Sequence, residues 1–301
     1  MMRSAANFLS PSRLLKSAGR PTGAGRHGTK KKETTDTFEG FYDEWFGALK
    51  NSLLPLLRQA MAARSAAFRG SSPAAPSVTR VAGAMVPSSR FLSVQVQCVH
   101  HHFQAYFQAL DGAATQDVSQ ILCPSWRNAV ERPFLWFGDL HPSIFVNLLR
   151  SFLLRSHGQG SGAAVSGVPS PPFADAWKDP SPRLTAEMRE IECRLRRRVP
   201  QIVELHRHVQ ASFTERAASE FRERGEVSEE AAAAMSAELA GLFFQANRLR
   251  KSVLEDILEV LDVCQAAVFL EALCELVLRL RDEKMLRHFH SCRTTPPSSA
   301  W

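Results

Sequence analysis

From Leu184 to Leu280 the apolar residues recur every third or fourth position, and this spacing fixes what most of the chain can become. Leu184, Met188, Ile191, Leu195, Val199, Ile202, Leu205, Val209 and Phe213 form one heptad-like stripe, interrupted at Pro200. Arg194, Arg196, Arg197 and Arg198 occupy the opposite face. Ser228 reads as the N-cap of a helix carrying Met235, Leu239, Leu242, Phe243, Ala246 and Leu249. A last helix carries Leu254, Ile257, Leu258, Leu261, Ala267, Leu270, Leu273, Val277 and Leu280. Each such face must be buried against another, so long helices packed side by side follow directly. The same period opens the folded part at Phe38, Phe41, Trp45, Leu49, Leu53, Leu56 and Leu57, with Asp36 or Thr37 as N-cap. Pro55 lacks the amide that bonds one turn back, so a kink or stop is expected there. Strand-type alternation is almost absent, apart from a short extended piece expected at Phe91 to Val99.

The expected fold is therefore all-α: a multi-helix bundle with long antiparallel C-terminal helices, a disordered N-terminal tail and two flexible linkers. Gly, Ser, Ala and Pro place the linkers at residues 70–90 and 156–182, the second too rich in proline for a packed element. Residues 1–35 form a basic tail, 36–292 a single helical domain and 293–301 a C-terminal tail. Between the linkers a helix is expected from about Gln95 to Ala114 and another from near Asp117. A broader apolar face follows Pro142, at Ile144, Phe145, Leu148, Leu149, Phe152 and Leu153.

The formal charge of +7 resides in the tail, where Arg3, Arg13, Lys16, Arg20, Arg26 and Lys30 to Lys32 meet no acid. The remainder is near neutral, so direct nucleic-acid binding by the folded part is not expected. The tail has the composition of a solvated extension or of an organellar transit peptide, and its lysines suit nuclear import or an anionic lipid surface. Six cysteines without a CxxC pair, no secretory signal and no apolar run of about 18 residues imply reduced thiols and no membrane-spanning helix. The expected location is the cytoplasm and the periphery of the plasma membrane, with the nucleus as a further compartment.

Chemistry-bearing clusters are sparse. His100, His101 and His102 with Cys98 diverge on any regular backbone, so they read as a partly exposed surface cluster rather than a metal site. Asp43-Glu44 reads as a solvated helix face, and His141 beside Asp139 as part of a turn. Phosphate loops, nucleophile elbows and zinc-protease motifs are lacking, so no enzyme, no metal and no cofactor are expected.

The segment Cys123 to Ser151, CPSWRNAVERPFLWFGDLHPSIFVNLLRS, carries Trp126, Glu131, Phe134, Trp136, Gly138, Asp139 and Pro142 in an order that composition alone does not produce. It resembles the signature of the plant delay-of-germination domain, a helical module also found in the C-terminal half of TGA bZIP factors. FEGFYDEWFGALKNSLLPLL, containing Trp45, looks like the family's opening helix. HFQAYFQALDGAATQDVSQIL looks like its His-aromatic helix, and ANRLRKSVLEDILEVLDVCQAAVFLEALCEL, containing Gln265, is similar to its closing block. The combination looks most like the inaperturate-pollen proteins. Ser77 to Val99 departs from the pattern and reads as an insertion or a gene-model artefact, the latter reading being shared by the acid-free residues 1–32.

The resemblance implies a non-enzymatic regulatory scaffold that recruits other proteins and specifies pollen aperture sites at membrane domains. Alternatives are a transcription-regulation module reaching DNA through a partner, because no basic zipper precedes Phe38, and a haem or lipid sensor. Trp126, Phe134, Trp136 and Phe137 admit two readings, a packed core or a partner groove, with core favoured. Glu131 reads as a buried acid whose partner is an arginine such as Arg127 or Arg150. Trp45, Gly138, Asp139, Pro142 and Gln265 complete the structural or partner-surface candidates.

Overall fold

The computed structural model describes residues 38–70, 78–81, 84–158, 173–177 and 181–294. The basic tail and the N-cap expected at Asp36 or Thr37 lie outside these residues. Helix α1 (Phe38–Ala48) passes without a break through a π-turn (Leu49–Leu53) into α2 (Leu54–Gly70). The amide of Leu54 bonds to the carbonyl of Leu49, five residues back, and this wider turn absorbs the donor that Pro55 cannot supply. The chain therefore neither stops nor breaks there, and Trp45, Leu49, Leu54, Leu57 and Met61 stay on one buried side.

A short antiparallel hairpin, β1 (Val78–Val81) and β2 (Ala84–Pro87), runs straight into α3 (Ser88–Gln116). Two expectations are corrected here. Residues 78–81 and 84–90 are strand and helix where a linker is expected, and Phe91 to Val99 is helix rather than an extended piece. The β-branched alternation Val94, Val96 sits over a stronger helical set, because Phe91, Leu92, Gln95, Val99, His102, Phe103, Tyr106 and Leu110 are all buried on one face. Helix α3 is the central element and packs against α1, α2, α7 and α8.

The signature follows α4 (Ser119–Leu122) as a 3-10 turn (Arg132–Phe134) and a two-residue ribbon, β3 (Leu135–Trp136) against β4 (Asp139–Leu140). Helix α5 (Ser143–Gly158) then crosses towards the C-terminal helices. In the second expected linker, a 3-10 turn (Ala174–Trp177) docks instead of staying open. The Trp177 ring is buried and stacks on Phe152 at 4.9 Å. One large aromatic outweighs the surrounding prolines because its buried area anchors a segment too short to fold alone.

Helix α6 (Pro182–Arg224) and α7 (Glu229–Val260) form the long antiparallel pair. Pro200 does not interrupt α6. It is exposed, as is Arg196 one turn earlier, so the carbonyl that loses its amide faces water. Gly225 caps α6 in the left-handed conformation at φ 77°, and Ser228 caps α7 by accepting from the Ala231 amide at 3.1 Å. The expected last helix is in fact two pieces, the end of α7 and then α8 (Val263–Arg279), and a further helix, α9 (Glu283–Thr294), follows it. Leu261 is extended, and Asp262 with Gln265 closes a reciprocal capping box that restarts the helix. Gln265 also donates to the Ala176 carbonyl at 2.8 Å and so ties α8 to the Trp177 turn.

Candidate functional site

Arg127 forms the centre of a buried polar knot. Its loop between α4 and the 3-10 turn lies over α1 and α3, and the side chain is only 5% exposed. One guanidinium nitrogen donates to the Tyr42 hydroxyl at 2.9 Å and to Glu131 Oε1 at 2.8 Å. The other donates to the Tyr106 hydroxyl at 2.7 Å and to Asp139 Oδ1 at 2.9 Å. Each phenol donates a hydrogen bond to the neighbouring carboxylate, Tyr42 to Glu131 and Tyr106 to Asp139. The planar fork of arginine suits this arrangement, in which two phenol–carboxylate pairs are gathered by one cation.

Electrostatics hold the knot in one protonation state. Burial drives the phenols of Tyr42 and Tyr106 well above the ordinary tyrosine range, so both remain neutral donors. For Arg127, burial opposes its charge, but Tyr106, Tyr42, Asp139 and Glu131 outweigh it and hold the guanidinium charged. The Arg127 guanidinium lies 4.6 Å from the Trp126 ring centre and 4.5 Å from that of Tyr42. Arg281, from the turn after α8, approaches Glu131 at 3.9 Å and covers Tyr42.

A second buried arginine holds the ribbon. Arg250 of α7 is fully enclosed and donates to the carbonyls of Leu140 at 2.8 Å, Phe137 at 3.0 Å and Asp139 at 3.2 Å, and also to that of Trp136. These carbonyls converge because the ribbon turns through Phe137 at φ 45° and Gly138 at φ 82°, two successive left-handed residues of a type I′ hairpin. At Gly138 a Cβ would stand 2.6 Å from both the carbonyl oxygen and Cγ2 of Ile121, so the ribbon can approach α4 only with glycine there. Asp139 thus joins both arginines, through its carboxylate to Arg127 and its carbonyl to Arg250.

The other sequence candidates fall into place around these arginines. Trp45 stacks on His102 with centroids 5.0 Å apart, and each donates to the other's backbone carbonyl, at 3.0 and 2.9 Å. His102 is therefore core, not the surface residue expected from the histidine run. Its Nε2 must carry the proton because a carbonyl only accepts, and its Nδ1 has no partner. Pro142 is buried at the start of α5, where the His141 Nδ1 accepts from the Ser143 amide at 3.1 Å. Glu131 pairs with Arg127 and not with Arg150, which reaches Glu192 on α6. The four signature aromatics do not pack together. Trp126 leans on Phe38 and Tyr42, Trp136 and Phe137 meet edge to face, and Phe134 is 41% exposed because its backbone serves the turn.

His102 makes a pH prediction. Burial lowers its pKa more than the hydrogen bond to Trp45 raises it, and burial also lowers those of the half-buried His100 and His141. A base with a depressed folded-state pKa binds fewer protons folded than unfolded. Its contribution is therefore intact above the unfolded value of about 6.5 and declines as pH falls towards the folded one. Unfolding free energy should drop between pH 6.5 and 5, with His102 supplying at most about 1.4 kcal/mol per pH unit. His102→Gln should flatten that slope in denaturant titrations at several pH values.

A surface groove of about 980 Å³ opens on the other side of the ribbon. Leu135, Trp136 and Phe137 form one wall, Val203 and His206 of α6 and Leu239 of α7 the other, with Arg132 at the rim. Phe137 meets His206 edge to face at 5.2 Å. The knot beneath is closed, with both terminal nitrogens of Arg127 taken up by its phenols and carboxylates, whereas the groove offers apolar surface with Arg132 and His206 to an outside molecule. Arg250, Tyr42, Tyr106 and the α6–α7 wall escaped the sequence reading. The phenols sat in motifs already quoted, but an arginine in a charged helix carries no sign of burial. Among the described residues no three His, Cys, Asp or Glu side chains converge as metal ligands, and no helix is long and apolar enough to cross a membrane.

Comparison with known proteins agrees with this layout. The family model described as seed dormancy control matches residues 78–151, which begin at β1 and end within α5. The match includes Val78 to Val99, so that segment is not an insertion. The chain is 34% identical over 281 residues to Protein INAPERTURATE POLLEN1 of Arabidopsis thaliana, covering 86% of this chain and 95% of that protein. It is 35% identical over 259 residues to the INAPERTURATE POLLEN 1 homolog of Oryza sativa subsp. japonica, covering 86% of this chain and 90% of the relative. With similarity of this extent and the signature folded into a single joint, the chain belongs to the inaperturate-pollen proteins of the delay-of-germination family.

Proposed function

We propose that this protein helps specify pollen apertures as a non-enzymatic scaffold, recruiting other proteins at membrane domains of the developing microspore. The observation that carries this reading is the match along 95% of the Arabidopsis relative, whose name refers to pollen without apertures. The groove beside the signature ribbon supports the recruiting role, since apolar walls with a basic rim suit a protein segment better than a polar metabolite. The closed knot supports a structural rather than a catalytic use of the signature.

Expression of a tagged copy in Arabidopsis plants lacking the relative tests the reading. Restored apertures, with the tag concentrated beneath them, are expected. Pollen that stays inaperturate despite normal protein levels would overturn the aperture role. The scaffold role fails separately if the purified protein captures no microspore protein in a pull-down and does not float with membranes.

A further inference from the structure

The α6–α7 hairpin extends beyond the bundle as an arm, because no residue from Gln210 to Glu230 is buried. At its tip Phe221 is 63% exposed and Val227 41% exposed, two apolar side chains on a charged surface. They are set among Glu220, Glu223, Glu226, Glu229 and Glu230, against only Arg222 and Arg224. At the base of the same arm is the groove, where Arg132 and His206 supply the basic groups and no carboxylate lines the wall. Arg132 donates to the Arg127 carbonyl but forms no ion pair among the described residues. Glu204, close by on α6, already engages Arg207. One arm therefore carries an acidic apolar tip and a basic apolar groove.

The two patches share a side of the helix. Val203 of the groove and Phe221 of the tip are separated by about five full turns at 3.6 residues each, which returns Phe221 to the same face roughly 27 Å further along. Between them on that face stand Arg207, which is paired with Glu204, and the uncharged Gln210, Thr214 and Ala217.

We propose that two copies of this chain pair through antiparallel arms, each inserting its Phe221 tip into the groove beside Trp136 of the other. A twofold axis midway along the arm makes both contacts at once, as an isologous interface requires. Complementary charge orients the pair: the glutamates around Phe221 meet Arg132, with the His206 ring beside it as a hydrogen-bonding partner. A two-helix face roughly 27 Å long and 20 Å wide gives about 1,000 Å² over both copies, the lower bound of a specific interface. The dimer is therefore weak and concentration-dependent, with a dissociation constant on the order of micromolar. The pairing stands apart from the aperture reading, because a chain unable to restore apertures would still dimerise.

Sedimentation velocity of the full chain from about 1 to 100 µM, a range set by that affinity, tests the pairing. A monomer–dimer equilibrium is expected, and Phe221→Asp should weaken it at least tenfold without changing helicity or melting, since the side chain is exposed. Arg132→Glu alone and Glu223→Arg with Glu226→Arg should each weaken it, and all three together should recover much of the wild-type association. A chain that is monomeric throughout, as when the groove takes a different protein, would overturn the proposal. So would a dimer that Phe221→Asp leaves intact.

Discussion

Replacing Arg127 with methionine is expected to lower the unfolding free energy by about 3–5 kcal/mol, a large part of the 5–15 kcal/mol typical of a folded domain. The lost hydrogen bonds are the smaller reason. The larger is that Glu131 and Asp139, at 1% and 3% exposure, would be left buried without the cation that sits between them. Of these two acids Arg281 approaches only Glu131, at 3.9 Å, and it is already paired with Asp43 at 3.1 Å, so it cannot replace the fork. Urea unfolding followed by far-UV circular dichroism should show a lower midpoint with an unchanged slope. Neutralising both acids in the same chain, with Glu131→Gln and Asp139→Asn, should recover part of the loss, because the uncompensated charge then disappears.

Gly138→Ala should be nearly as damaging for a different reason. At φ 82° any side chain costs about 1–2 kcal/mol. The new Cβ also meets the Ile121 backbone at 2.6 Å, which the rigid start of the ribbon can relieve only by moving away from α4. That movement displaces the carbonyls that hold Arg250, a cation with few other acceptors, so a total of about 3 kcal/mol or more is expected. Gly225→Ala is the matched control. Its φ of 77° is similar, but nothing stands within 4 Å of a Cβ there, so only about 1 kcal/mol should be lost. The difference between the two melting curves isolates the contribution of the close approach.

Much of the fold was legible because helix faces have a period that survives in sequence. The stripes of α6, α7 and α8 and the Ser228 cap appear where the spacing puts them. The misreadings share a cause in tertiary contacts that override local signals. Val94 and Val96 suggest a strand, yet the buried set from Phe91 to Leu110 keeps α3 helical. Pro55 and Pro200 suggest breaks, yet a π-turn and an exposed carbonyl accommodate them. The stop between α7 and α8 did have a signal, since Asp262 followed by Gln265 three residues later is a capping-box pattern, but the leucines around it read as one continuous stripe.

The site was legible in part. Trp126, Glu131, Gly138, Asp139 and Pro142 stand out in the sequence as a group, but it leaves either Arg127 or Arg150 as the partner of Glu131, and only the fold brings Arg127 to it. Arg250 was hidden because its enclosure depends on a ribbon more than a hundred residues earlier. The groove was hidden for the same reason, since one wall comes from the signature and the other from α6 and α7.

The family signature is a joint, in which Arg127 and its acids act as one coupled unit beneath the ribbon. A double-mutant cycle of Arg127→Met and Asp139→Asn, measured by urea unfolding, tests it most directly. The structure predicts that the double variant is more stable than the sum of the two single losses by at least about 2 kcal/mol, because each single change strands the other group. Single losses that add to within about 0.5 kcal/mol would show independent residues and contradict the account.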